Sequence, residues 1–136
     1  MLPGLAHPPS LWILIVDDDA GVCAALARLV GQAHHVECAH SARRALEVLA
    51  DRKFDVLLCD IVMPGASGAD LHDELRRTRP ELAERVLFMT GGIPSGELER
   101  RVRASGRPLL QKPIESSVLS SALEAMAAST GPATSG

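Results

Sequence analysis

Several polar residues stand where they could act together. Asp17, Asp18 and Asp19 follow the apolar run Leu11–Val16, Asp60 follows Val56–Cys59, Thr90 follows Val86–Met89, and Gln111, Lys112 and Pro113 follow Pro108–Leu110. Carboxylates gathered at one edge repel each other unless a cation or an ammonium compensates. A hard divalent ion meets that need: Mg2+ takes oxygen ligands in octahedral geometry, keeps several waters, and accepts one or two carboxylates beside a phosphoryl oxygen. Asp18 and Asp60 can supply those carboxylates, or one aspartate can be a nucleophile, as in aspartyl-phosphate chemistry. Each residue also has an ordinary reading. The Asp triplet suits the positive end of a helix, with Asp19 as its N-cap. Asp60 suits a turn, Thr90 before Gly91 and Gly92 suits a strand end, and Lys112 suits a solvated charge. Their coincidence on one edge favours a shared site.

The elements that must position them follow from periodicity. Most of the apolar runs, which also include Val36–Ala39, are nearly continuous in aliphatic residues, as strands buried on both faces are. Between them the spacing predicts one-sided helices: Val22, Leu26, Leu29 and Val30 after Asp19; Ala42, Ala45, Leu46 and Leu49 after Ser41; Leu71 and Leu75 within 68–78; Leu98 and Val102 within 95–104; and Val118, Leu119, Ala122, Leu123 and Met126 within 115–128. Asp19, Ser41 and Ser95 are candidate caps, and Gly31 and Gly106 stand where helices should stop. Five alternations of strand and helix, with right-handed crossovers, predict an α/β fold: a doubly wound (βα)5 three-layer sandwich around a five-stranded parallel sheet. In such a sheet, ligands bind beyond the carboxyl ends of the strands, where these polar residues lie. Residues 11–128 read as the domain. Residues 1–10, with their three prolines, and 129–136 read as disordered tails or linkers.

Composition excludes several classes. A chain of 136 residues with 46% hydrophobic content makes one domain. A net charge of −3, from 14 basic and 17 acidic residues, argues against nucleic acid as a partner. The longest apolar run, Leu11–Val16, is far short of the ~20 residues a membrane span needs. The first ten residues lack the basic and apolar regions of a signal peptide, so a cytoplasmic setting without membrane contact is expected. Cys23, Cys38 and Cys59 lack CxxC spacing and read as buried apolar residues. Trp12, Phe54 and Phe88 are the only aromatics, which leaves an aliphatic core and no stacking platform for bases.

The motifs ILIVDDD, VLLCDIVMPGASG, VLFMTGG and LLQKPIE, in this order, resemble the receiver domains of two-component response regulators over residues 11–128. The resemblance implies a flavodoxin-like fold with strand order 2-1-3-4-5. It implies that Asp60 accepts a phosphoryl group from a phosphohistidine on a histidine kinase or a histidine phosphotransfer domain. Mg2+ would be held by Asp18, Asp60 and the backbone carbonyl of Val62, with Asp17 acting mainly through water. Lys112 and Thr90 would meet the phosphoryl oxygens from other directions, and the peptide before Pro113 would be cis. The face built by the fourth helix, fifth strand and fifth helix is the family's usual partner surface, including for phosphorylation-dependent dimers.

The departures are specific. Leu109 occupies the place where these domains commonly carry an aromatic switch, so coupling of a ring to Thr90 is not expected. Gly91 replaces a usual alanine, which predicts a mobile TGGIPSG loop. Val62 and Gly92, two residues beyond Asp60 and Thr90, cannot position a hydrolytic water through a polar side chain, which predicts a long-lived phosphoryl group. GRPLLQKPIE and the Pro/Gly-rich flanks are similar to receivers of hybrid sensor histidine kinases, with a stand-alone regulator as the alternative. Two rivals remain. A DxD phosphatase would use Asp17 as nucleophile but has no role for Asp60. A docking-only pseudo-receiver does not explain why the acidic pair, the acceptor and the lysine are all present. GxGxxG and GxxxxGK[ST] are both absent, which disfavours nucleotide binding.

Overall fold

The uninterrupted apolar runs form strands covered on both faces. The computed structural model describes residues 10–92 and 96–130, the last two as backbone only. It contains β1 (Trp12–Val16), α1 (Ala20–Val30), β2 (His35–Ala39), α2 (Ala42–Asp51), β3 (Val56–Asp60), α3 (Gly68–Thr78), α4 (Pro80–Ala83), β4 (Val86–Thr90), α5 (Gly96–Ser105), β5 (Leu109–Gln111) and α6 (Ser116–Thr130). β3 and β4 are buried throughout, whereas the edge strands β2 and β5 are only partly covered. All pairings are parallel, in the order β2-β1-β3-β4-β5. This is the flavodoxin-like arrangement that the motifs imply.

Alternation along each strand divides the core into two layers. Ile13, Ile15, Leu58 and Met89 meet α1 and α6 through Cys23, Leu26, Leu119 and Leu123. Leu14, Val16, Leu57 and Phe88 meet α2, α3 and α5 through Leu49, Leu71, Leu75 and Val102. Each fully buried side chain of this kind contributes roughly 1.5–3 kcal/mol relative to exposure. Helix ends follow the expected chemistry: Asp19 accepts from the N–H groups of Gly21 and Val22, and Ser41 accepts from that of Arg44. Gly106 has φ +74°, a left-handed conformation that glycine adopts without strain.

Some expectations shift. Leu29 and Val118 are exposed, because the buried faces run through Cys23, Leu26 and Val30 on α1 and through Leu119, Leu123 and Ala127 on α6. Each outlier lies one residue off its stripe, about 100° around the helix. Cys38 is half-buried rather than buried, since β2 is an edge strand. The turn α4, opened by Pro80, is an addition: a single turn is too short to show a period, and Pro at the first helical position is its signal. α6 runs to Thr130, past the expected end at Ala128. Residues 1–9, 93–95 and 131–136, and with them most of the expected tails, the Ser95 cap and the heart of the TGGIPSG loop, lie outside the described residues.

Candidate functional site

The sheet changes direction of winding between β1 and β3, so the helices that follow these strands leave on opposite faces and a crevice opens at their carboxyl ends. Register places the acidic groups there. Val16 lies beside Cys59, which sets Asp17 and Asp60 next to each other one residue on, and Thr90 pairs with Gln111 just before Lys112. One carboxylate oxygen from each of Asp17, Asp18 and Asp60 lies within 4.8 Å of the others. Asp17, Asp60 and Thr90 are buried, while Asp18 is exposed at the mouth.

Lys112 reaches across from the end of β5. Its Nζ donates to Asp17 Oδ2 at 2.6 Å and lies 3.4 Å from Asp60 Oδ2. The other Asp17 oxygen accepts from the Asp19 N–H at 2.9 Å. Asp17 is thus fully engaged, and Asp60 receives the weaker share of the ammonium. Burial accordingly holds the Asp60 carboxyl above the ordinary carboxylate range, with Lys112 opposing and Asp17 reinforcing the shift; the Val62 N–H also favours its ionised form. Burial alone would lower Lys112, but its bond to Asp17 and the charge of Asp60 outweigh that, so its pKa is raised and it stays an ammonium. The pocket therefore holds three carboxylates against one ammonium. Such a donor set suits a hard divalent cation, and Asp18, the exposed member, has no described ion pair of its own.

All five side chains singled out in the sequence (Asp17, Asp18, Asp60, Thr90 and Lys112) come to this edge. The Thr90 hydroxyl donates to the Gly92 carbonyl at 2.9 Å, and the Lys112 N–H donates to the Thr90 carbonyl at 2.8 Å, which locks the ends of β4 and β5 together. The Lys112–Pro113 peptide is cis, as the motif implies. Leu109 is half-buried against the core beside Phe88, and no ring stands at its place. Val62 contributes its backbone at the pocket and an exposed side chain at the mouth.

One contributor was not legible as such. Gly68, the first residue of α3, donates to the Ile61 carbonyl at 2.8 Å, and a Cβ there would lie 2.3 Å from the Asp60 carbonyl oxygen. Its lack of a side chain lets α3 abut the end of β3. The sequence shows the glycine in its motif but not the backbone it must approach.

Comparison with known proteins agrees with this geometry. The family model "Response regulator receiver domain" matches residues 13–124. The transcriptional regulatory protein ZraR of Escherichia coli O157:H7 is 33% identical over 119 residues, covering 87% of this chain and 26% of ZraR. The sensory/regulatory protein RpfC of Xanthomonas campestris pv. campestris is 28% identical over 133 residues, covering 92% of this chain and 18% of RpfC. The chain thus spans about a quarter or less of these relatives. A solved response regulator receiver domain protein from Clostridium thermocellum is similar with a TM-score of 0.76 and 26% identity, over 88% of this chain and 95% of that one. With the sheet order, the acidic crevice and a family match over most of its length in agreement, this chain belongs to the response regulator receiver domains of two-component systems.

Proposed function

We propose that this receiver domain takes a phosphoryl group onto Asp60 from a phosphohistidine of a histidine kinase or a histidine phosphotransfer domain. The observation that carries this reading is the convergence of Asp17, Asp18 and Asp60 within 4.8 Å, with Lys112 bridging two of them. In the transfer, an Asp60 carboxylate oxygen forms a bond to phosphorus while the P–N bond to the donor imidazole breaks. Lys112 is placed to slide from Asp17 toward the phosphoryl oxygens, since its longer contact is already to Asp60. Thr90 is placed to exchange its bond to Gly92 for one to the same group. Asp18, Asp60 and the Val62 carbonyl would hold Mg2+, with Asp17 acting through water. When bound, this ion supplies positive charge that neutralises the equatorial oxygens as the transfer proceeds.

The test is incubation of the purified chain with acetyl phosphate and Mg2+, read by intact mass. One added phosphoryl group on the wild type and none on Asp60→Asn is the expected result. Failure of the wild type with several donors would overturn the reading and favour a docking role.

We further read the domain as a module of a hybrid sensor histidine kinase. The alignment over nearly the whole chain with RpfC, named as a sensory/regulatory protein, supports a sensory context. The alternative is a stand-alone regulator, and the alignment with ZraR, a transcriptional regulatory protein, supports a regulator rather than a kinase. Phosphate transfer onward to a phosphotransfer histidine, faster than to water, is expected of the first and not of the second.

A further inference from the structure

Leu109 puts no ring where the resemblance implies an aromatic switch, and the structure offers another connection from the site to the outer helices. It begins at the phosphoacceptor. Gly68 places the first turn of α3 against the Asp60 and Ile61 backbone, closer than any side chain would allow. That turn is closed by a capping box: the Ser67 Oγ accepts from the Asp70 N–H at 3.1 Å, and Asp70 Oδ2 accepts from the Ser67 N–H at 2.9 Å. The remaining Asp70 oxygen accepts from Arg101 Nη2 at 2.9 Å, and the same nitrogen donates to Asp73 Oδ2 at 2.8 Å. Arg101 belongs to α5.

On α5, Leu98 is partly buried against the core. Val102 is the helix's one buried residue among those described, and a cavity of about 220 Å3, lined by His72, Phe88, Arg101 and Val102 among others, opens where it meets α3. An exposed ion pair by itself contributes little. Here one guanidinium instead joins two carboxylates, one of them already fixed inside a cap. The Ser67 N–H and Arg101 together hold Asp70 below the ordinary carboxylate range, so the bridge stays charged.

We propose that Arg101 is a positioning residue that ties α5 to the Asp60 end of β3 through the N-terminal turn of α3. The proposal rests on Asp60 being the phosphoacceptor for its purpose, though not for its existence. A displacement at Asp60 moves Gly68, the cap moves with it, and Arg101 passes the movement to α5.

Amide hydrogen exchange on the full chain tests this in two arms. Without phosphodonor, Arg101→Ala should speed exchange of the Gly68 and Asp70 amides by about 3- to 10-fold, a common size for coupling through such networks. Arg101→Lys, which keeps the charge, should restore most of the protection. A merely local ion pair would loosen α5 and leave Gly68 unchanged, and that result would overturn the proposal. With acetyl phosphate and Mg2+, the wild type should show altered exchange in α5. Arg101→Ala should lose at least half of that response while gaining the same mass of phosphoryl group, and a full response in the variant would overturn the relay. If the wild type gains no mass, the assignment of Asp60 fails, and the first arm still decides whether Arg101 couples the two elements.

Discussion

Lys112 is the residue on which the pocket's charge balance turns. Its ammonium bonds Asp17, which is fully buried, and compensates Asp60 at longer range. Truncating it leaves a buried carboxylate unpaired, which typically costs about 3 kcal/mol or more. Lys112→Ala should therefore lower the unfolding free energy from urea titration by that amount and slow labelling by acetyl phosphate on the order of 100-fold, the size seen when a charge-stabilising donor is lost. At the mouth, Val62 is 56% exposed and Gly92 has no side chain, so neither can hold a water in line with a phosphoryl group. Phosphate loss from the labelled protein in Mg2+ should take far longer than seconds, and Val62→Asn should shorten it. The membership of the site was legible because four motifs fell in order at strand ends. The division of labour was not: that Lys112 favours Asp17 over Asp60, and that Thr90 is engaged with Gly92, depends on side-chain positions that spacing does not encode.

At the scale of elements, the junction between β3 and α3 is the most constrained. A methyl group at position 68 would fall 2.3 Å from the Asp60 carbonyl oxygen, against backbone rather than a yielding side chain. Gly68→Ala must displace either the helix or the strand end that carries Asp60. It should cost about 2 kcal/mol by thermal or urea unfolding, within the range for overpacking, and should reduce labelling of Asp60 more than the stability loss explains. Strands and long helices were legible because their buried stripes repeat. α4 was not, because four residues make no period, and Leu29 and Val118 were misplaced because a helix face is settled by what it packs against. His72 belongs with these. It sits on α3 among charged neighbours in sequence, yet it is buried, with Nε2 3.0 Å from the Ala83 carbonyl and its ring edge-on to Phe88. Only the added turn α4 brings that carbonyl within reach.

For the whole molecule, the buried titratable groups set the response to acid. Burial holds His72 below its ordinary value of 6.5, although the Ala83 carbonyl opposes the shift. Burial and the neighbouring His35 do the same to His34. A histidine whose folded pKa is depressed supports folding above about 6.5 and loses that support as the pH falls toward and through its folded value. Asp60 acts in the opposite sense, since a raised carboxyl disfavours folding when ionised and is relieved as acid protonates it. Asp60 gives that relief as its own carboxyl titrates, above 3.8, whereas the histidines weaken the fold as the pH falls below about 6.5. Replacing His72 by Gln, which keeps a donor for Ala83, should reduce the loss of urea stability between pH 7 and pH 5 by roughly 1 kcal/mol, a typical single-site effect. An unchanged slope would remove His72 from this account.

The sequence by itself determined the parallel α/β sandwich, the edge of the candidate site, and the residues gathered there, because continuous apolar runs, helical stripes and strand-end polar residues are local patterns. Only the tertiary structure decided which carboxylate holds the lysine, why position 68 must be glycine, and how α5 is tethered to α3. Those depend on atoms far apart in the chain, such as Asp17 with Lys112 and Asp70 with Arg101, and their approach is set by how the layers pack.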